Sequence, residues 1–116
     1  MTPFEPLRPQ DFWAQLPGPP NAVWPQGARS VSALRHGTLE IKLYAPQGSD
    51  PQQPHSRDEV YVVVTGQGVF DNGGVVQAFS AGDALFVPAM REHRFTQFSD
   101  NLVCWVMFYG PEGGET

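Results

Sequence analysis

The sequence predicts an all-β domain, on the basis of its length, its turn-forming residues and a series of short strand-like segments. The chain has 116 residues, which is the size of one domain with its own core. It contains 12 Gly and 12 Pro, which divide it into short segments and disfavour long helices. From about Arg29 onward strand signals alternate with turn signals, a pattern typical of a β-sandwich or β-barrel.

The first 28 residues are predicted to form an arm that precedes the barrel. Within this arm only Pro9–Leu16 suits one or two helical turns, because proline is accepted at the first helical position and Pro17 ends the segment. The barrel itself is expected over residues 29–110. Residues 111–116 are expected to be a loose tail or to lie along the surface.

The predicted strands follow one another at short intervals after the arm. Leu39–Tyr44 alternates apolar and polar residues, which is the period of a half-buried strand. Glu59–Thr65 is rich in Val and Tyr, and Asp71-Asn-Gly-Gly74 predicts the turn of a hairpin. The hairpin strands and the remaining strands are predicted at 68–71, 75–79, 84–87, 93–98 and 102–109.

Composition disfavours several kinds of partner and location. A net charge of −5 argues against nucleic acid and anionic membranes, since both require a basic surface. The single cysteine, Cys104, excludes an internal disulfide and fits a reducing compartment; among apolar neighbours it is expected to be buried and inert. No apolar segment approaches the length of a membrane span, and Met1–Arg8 lacks the apolar core of a signal peptide. A cytoplasmic protein without a membrane partner is therefore expected.

His55, Glu59 and His93 are the candidate functional residues. Strand residues two and four apart point to one face, so Gln53, His55, Glu59 and Tyr61 are expected to face inward together. Two imidazoles and one carboxylate that converge in a barrel form a divalent-metal site of the two-His-one-carboxylate type. The competing interpretation of His55 and Glu59 is a solvated pair at the start of a strand.

The same alternation makes predictions for neighbouring side chains. Asp58, next to Glu59, is expected to point outward and to be exposed. Phe95 and Gln97 share the parity of His93 and are candidate pocket walls.

Two segments of the chain resemble the two sequence motifs of the cupin superfamily. Gln53-Pro-His-Ser-Arg-Asp-Glu59, with Gly66 after it, is similar to the first motif, in which two histidines precede a glutamate and a glycine. The segment Gly82–His93 is similar to the second, in which a glycine and a proline precede the last histidine ligand. Fifteen residues separate Gly66 from Gly82, as in small single-domain cupins, and the likeness covers about residues 36–109. Two motifs in order and at the right spacing are far more specific than one.

The resemblance implies a double-stranded β-helix, which is a jelly-roll barrel with a pocket at one end. It places His55, Glu59 and His93 at the positions that bind one divalent metal ion: Fe, Mn, Ni or Zn. Gln53 stands where the family has a histidine, and it would be a weaker ligand through its carbonyl oxygen. Tyr61 is expected to line the pocket around the ion. Met90 replaces a turn glycine, and Gln97 replaces an asparagine.

Two classes of function follow from this site. The leading hypothesis is a small metal-dependent enzyme of the oxygenase or isomerase type that acts on a polar organic molecule. The alternative is a non-catalytic module that holds a small ligand or a metal ion. Strands 60–64 and 102–109 are apolar on both faces and need cover from the second sheet, from Phe12-Trp13 or from another subunit. A homodimer is therefore also expected.

Overall fold

The computed structural model of the protein describes residues 4–116, which form one short helix and eight strands. The helix α1 begins at Pro9 and ends at Trp13, within the segment predicted from the sequence. The strands are β1 (Ser30–His36), β2 (Leu39–Tyr44), β3 (Asp58–Thr65), β4 (Gln67–Asn72), β5 (Val75–Ser80), β6 (Ala84–Val87), β7 (His93–Phe98) and β8 (Val103–Tyr109). None of the described helices has the length and apolar character needed to cross a membrane.

The strands form two sheets, and every strand pair is antiparallel. The larger sheet has the order β1-β2-β8-β3-β6, and the smaller has the order β5-β4-β7. The last strand, β8, therefore lies in the middle of the larger sheet, between β2 and β3. The two sheets enclose the core as a jelly-roll barrel, which confirms the predicted fold class.

The predicted strands are confirmed with small changes at their ends. Strand β3 begins one residue earlier than predicted, and the hairpin strands β4 and β5 are each longer than predicted. The turn between them contains Gly73 and Gly74, with φ values of 59° and 98°. This is the left-handed region that glycine adopts without steric cost, so the turn residues account for the hairpin.

Aromatic side chains join the two sheets in the core. Phe95 of β7 is 1% exposed, and its ring centroid lies 4.7 Å from that of Phe70 and 5.2 Å from those of Tyr61 and Phe79. These rings come from β4, β3 and β5, so one side chain of the smaller sheet contacts both sheets. Edge-on contacts of this kind add to the free energy gained by burial alone.

The N-terminal arm covers the outer face of the larger sheet. Phe12 of α1 is buried, and its ring meets that of Trp105 edge-on at a centroid distance of 5.9 Å. Gly18 and Ala28 exchange backbone hydrogen bonds of 2.8 and 3.2 Å, which hold the rest of the arm. The arm is thus one of the covers predicted for the apolar strand β8. The first three residues of this predicted arm lie outside the described residues.

The C-terminal residues lie along the surface rather than forming a loose tail. The Gly113 N–H donates to the Ser56 carbonyl at 2.6 Å, and the Glu115 N–H donates to the Asp58 carboxylate at 2.8 Å. Asp58 also accepts a hydrogen bond of 2.9 Å from the Ala89 N–H. Asp58 is therefore buried, and the prediction that it is exposed was wrong, because the tail covers this face of β3.

Candidate metal centre

His55, Glu59 and His93 meet at one end of the barrel. Glu59 points inward from β3, His93 is the first residue of β7, and His55 lies in the loop before β3. The Met90 N–H donates to the His55 carbonyl at 2.6 Å and ties this loop to the turn before β7. Met90 has a φ of 66°, which fits its place at a turn glycine of the family motif. One potential ligand atom from each of the three residues lies within 4.8 Å of the others.

One carboxylate oxygen of Glu59 lies between the two imidazole rings. Glu59 Oε1 is 3.0 Å from His55 Nδ1 and 3.0 Å from His93 Nε2. Glu59 Oε2 is also buried, yet it has no hydrogen-bond partner among the described residues. A buried polar atom without a partner is costly. This orphaned oxygen therefore indicates a place for a further positively charged or hydrogen-bonding group.

A backbone carbonyl orients the ring of His93. Its Nδ1 lies 2.9 Å from the Arg91 carbonyl oxygen, which only accepts hydrogen bonds, so Nδ1 carries a proton. In the neutral ring Nε2 then presents its lone pair to the centre of the site. A metal-binding histidine usually donates the N–H of its other ring nitrogen to an acceptor of this kind.

The charges of the three side chains support one another. Burial raises the pKa of Glu59, but hydrogen bonds and positive charge from His55 and His93 outweigh burial and hold the pKa below its usual value. Burial lowers the pKa of His93, but its hydrogen bonds to Glu59 and to the Arg91 carbonyl outweigh burial and raise the pKa. The site therefore favours an anionic carboxylate, which a bound cation also requires, whereas such a cation would have to displace the proton that the raised pKa of His93 favours.

A chain of hydrogen bonds runs from this centre to a buried carboxylate. Tyr61 Oη lies 3.1 Å from His93 Nε2 and donates to Gln52 Oε1 at 2.9 Å. Gln52 Nε2 donates in turn to Asp50 Oδ2 at 2.7 Å. Asp50 also accepts from the Tyr44 hydroxyl and, at 2.9 Å, from the Phe95 N–H. Asp50 and Gln52 were missed in the sequence because no periodic pattern surrounds residues 45–57. Tyr44 was missed because the alternation in the predicted strand 39–44 grouped it with the polar residues.

Gln52, rather than Gln53, faces the centre. Gln53 is exposed and lines an outer cavity of about 210 Å³, together with His93 and Arg94. The alternation that grouped Gln53 with Glu59 requires an extended strand, but β3 begins only at Asp58. The structure thus does not bring Gln53 into the group formed by His55, Glu59 and His93.

Tyr61 lines the cavity beside the centre, whereas Phe95, a candidate pocket wall, is buried in the core, and Gln97 is exposed and lies away from the centre. Val69 of β4 pairs with Gln97, whereas the next residue, Phe70, pairs with Phe95. Thr96 is therefore an extra residue in β7, and this β-bulge reverses the alternation between Phe95 and Gln97. The prediction that Gln97 lines the pocket was wrong for this reason.

A small cavity adjoins the centre inside the larger sheet. Its volume is about 120 Å³, and both His55 and Glu59 contribute to its wall. The remaining lining residues combine aromatic rings, hydroxyls and one ammonium group: Trp24, Ser30, Lys42, Tyr44, Gln52, Tyr61, Val106 and Phe108. The mixture is suited to a small molecule that carries polar groups.

The solved structures similar to this barrel include three from different bacteria. A putative mannose-6-phosphate isomerase from Ralstonia eutropha has a TM-score of 0.58 and 21% identity, covering 71% of this chain and 85% of that one. An RmlC-like cupin from Shewanella frigidimarina has a TM-score of 0.59 and 19% identity, covering 71% and 75%. The DMSP lyase DddQ from Ruegeria pomeroyi has a TM-score of 0.60 and 19% identity, covering 70% and 46%. At these identities the likeness shows the fold alone.

Sequence similarity defines the family. A protein from Streptomyces coelicolor, described only as uncharacterised, is 36% identical over 81 residues, which are 68% of this chain and 77% of that protein. The family model described as a cupin domain matches residues 41–109, which include both motifs and the three converging residues. With its jelly-roll barrel and this family match, the chain belongs to the cupin family.

Proposed function

We propose that this cupin is a metal-dependent enzyme that acts on a polar organic small molecule, with His55, Glu59 and His93 holding one divalent ion. The observation that carries the proposal is the buried, unpartnered Oε2 of Glu59, whose other oxygen, Oε1, lies between two imidazole rings. Two nitrogen donors and one carboxylate suit Fe, Mn, Ni or Zn and leave positions open for other ligands. A bound ion would act as a Lewis acid toward a substrate oxygen or, with a redox metal, as a redox centre.

The protein residues around this centre orient and shield the substrate. Burial raises the pKa of Tyr61 well above its usual value, so its hydroxyl stays protonated and acts as a hydrogen-bond donor rather than a base. Its donation to Gln52 fixes the direction of that proton. Phe108 and Val106 supply apolar wall and limit access of water to the cavity.

The reaction type is proposed to be that of an oxygenase or an isomerase. Among the similar structures, one is described as a putative isomerase and another as a lyase, which supports an enzymatic role. The homodimer and the cytoplasmic location expected from the sequence stay predictions.

A non-catalytic ligand-binding cupin is the second candidate, and one observation favours it. Burial, with a further contribution from Asp50, raises the pKa of Tyr44, as burial does for Tyr61. Asp50 is enclosed by three hydrogen-bond donors. The described cavity residues outside the three proposed ligands thus offer no carboxylate or phenolate base for catalysis.

Metal analysis of tag-free protein tests the proposal. We expect about one divalent ion per chain, lost in His93→Ala and Glu59→Gln because each removes a ligand, and retained in His36→Ala. His36 is exposed at the end of β1 and is the matched control. Less than about a tenth of an ion per chain, unimproved by added Fe(II), Mn, Ni or Zn, would contradict the metal site.

Turnover separates the two candidate functions. The metal-loaded protein and His93→Ala are incubated with a mixture of small polar metabolites, which is then analysed by mass spectrometry. Loss of one compound and gain of a product with the metal-loaded protein alone supports the enzyme. Retention of an unchanged compound on the protein, without any product, supports the binding module instead.

A further inference from the structure

The chain contains one lysine, Lys42, and this residue lines the cavity beside His55 and Glu59. The other basic side chains counted with it are six arginines, and none of them lines this cavity. Lysine is among the residues most often found on exposed surface. Lys42 is instead half-buried within the strand β2. The position of the only ammonium side chain therefore needs an explanation.

The strand register directs Lys42 toward the interior. Lys42 pairs with Val106 of β8, and Val106 pairs with Tyr61 of β3, so the three lie in one row across the sheet. The adjacent row is Glu40, Phe108 and Glu59. Neighbouring strands are about 4.8 Å apart, which separates the Cα atoms of Lys42 and Tyr61 by roughly 10 Å. The Lys42 and Tyr61 side chains both line the cavity on the inner face of this sheet.

The ammonium group of Lys42 has no hydrogen bond or ion pair within the described residues. Glu40, two residues away on the same strand face, is paired with Arg35 at 2.8 Å and lies 3.9 Å from Arg57. The Glu40 carboxylate is thus shared by three positive charges, since Lys42 also attracts it through space. Glu59 is already occupied by the two imidazoles, because its Oε1 lies 3.0 Å from a ring nitrogen of each. A half-buried ammonium group that makes no hydrogen bond of its own favours an additional anionic ligand.

The size of the cavity limits that ligand. Its volume of about 120 Å³ corresponds to roughly four water molecules. Ser30 adds a hydroxyl to the lining, whereas Val106 and Phe108 offer only apolar surface. The ligand must therefore be short, with one anionic end.

We infer that the cavity binds a small organic acid, of roughly four to six non-hydrogen atoms, whose carboxylate pairs with Lys42. The inference rests on the proposed function for the reacting end of the molecule, which would face the centre formed by His55, Glu59 and His93. It thereby assigns a substrate class to that function. Lys42 binds and orients the acid.

A single lysine allows this contact to be observed directly. Reductive methylation with ¹³C-formaldehyde keeps the positive charge and labels Lys42 and the terminal amine. The metal-free labelled protein is titrated with propionate and with propionamide, which match in size and differ in charge. We expect propionate to shift the Lys42 signal saturably and propionamide to bind at least about tenfold more weakly, since charged hydrogen bonds are the stronger. Equal binding of the two compounds would overturn the inference.

Variants test the same contact without the label. The indole N–H signal of Trp24 reports on the cavity, and that of Trp13, which lies outside it, is the internal reference. Lys42→Met should weaken propionate binding about tenfold, whereas Lys42→Arg should retain most of it. Arg8→Met removes the same charge from an exposed position and should leave binding unchanged. Unchanged binding in Lys42→Met overturns the inference, and the labelled protein decides the matter if that variant does not fold.

These experiments distinguish a failure of the proposed metal centre from a failure of the proposed acid site. Propionate that binds through Lys42 in metal-free protein, with no metal uptake afterwards, supports the acid site and contradicts the metal centre. If the protein takes up metal but propionate does not shift the Lys42 signal, only the acid site is contradicted.

Discussion

Strand β3 passes through two different environments inside one barrel. At its start Glu59 and Tyr61 face histidines and an amide, and we call this region the polar end. Near its finish Val63 belongs to a core cluster with Phe79, Leu102 and Cys104, and we call this region the apolar end. All of the inward residues of β3 obey the same two-residue period. The difference between the ends therefore comes from what the surrounding loops and strands present to β3.

The comparison teaches that the two ends stabilise the fold in different ways. The stability of the apolar end depends on close packing. When a buried group is removed, its neighbours lose both the free energy of burial and dispersion contacts. The polar end depends on matched donors and acceptors, because each unpaired buried group is costly. Substitutions should therefore separate stability from metal binding, according to the end that they affect.

The largest expected effect is at the apolar end. Phe79→Ala removes a ring that is 4% exposed, and it should lower the free energy of unfolding by about 3–5 kcal/mol. Metal affinity of the folded fraction should not change. Val76→Ala on the same strand is the control, since Val76 is 58% exposed and should change stability by less than about 0.5 kcal/mol. Denaturant titration measures the free energy of unfolding of both variants. A similar decrease in the two would contradict the assignment of Phe79 to the core.

The next effect tests the polar end. Asp50→Ala leaves Tyr44, Gln52 and the Phe95 N–H without their acceptor, and it should cost about 2–4 kcal/mol. It should also weaken metal binding, because Gln52 and Tyr61 lose their orientation. The exposed Asp100→Ala serves as control in unfolding and metal titrations. A loss of stability with unaltered metal binding would show that the polar end does not depend on this carboxylate.

A smaller effect distinguishes two adjacent glutamines. Gln52→Ala removes the acceptor of the Tyr61 hydroxyl and should cost about 1 kcal/mol, whereas Gln53→Ala should be neutral. Thermal unfolding of the two variants makes the comparison. Equal effects, or a larger effect for Gln53→Ala, would mean that Gln53 takes part in the polar end after all.

The smallest effect concerns the tail that covers Asp58. Hydrogen bonds from the Glu115 and Ala89 N–H groups hold the pKa of Asp58 below its ordinary value of 3.8, although burial opposes them. A lowered pKa stabilises the fold at pH values above 3.8, and this contribution is lost as the pH falls through the folded-state pKa. Wild type should therefore exceed Asp58→Asn in stability at neutral pH, and the difference should shrink below pH 3.8. Faster hydrogen exchange of the Glu115 amide in the variant would confirm the contact, and a pH-independent difference would contradict it.

Short-range sequence patterns predicted the strands and the positions of the key residues. The hairpin turn at Gly73-Gly74 depends on local backbone preferences, and the spacing of the two motifs brought His55, Glu59 and His93 into one prediction. Alternation also predicted correctly that Asp58 points away from Glu59. It did not predict burial of Asp58, because the covering residues come from the distant tail.

The errors arose where the chain is not a regular strand. Gln53 precedes β3, so the two-residue period had no physical basis there. Gln97 follows a bulge whose extra residue is visible only from the pairing of β7 with β4. The inward direction of Lys42 is opposite to what the alternation of apolar and polar residues in 39–44 indicated, and it becomes visible only from the cavity that Lys42 lines and from the register of β2 against β8 and β3.

The central place of β8 has a consequence for synthesis of the protein. β2 and β3 are separated in the larger sheet by a strand that leaves the ribosome after all the others. A nascent chain that ends before residue 103 exposes the apolar edges of both strands, and pairing between distant segments is slow to form. The larger sheet therefore closes only after β8 has emerged from the ribosome.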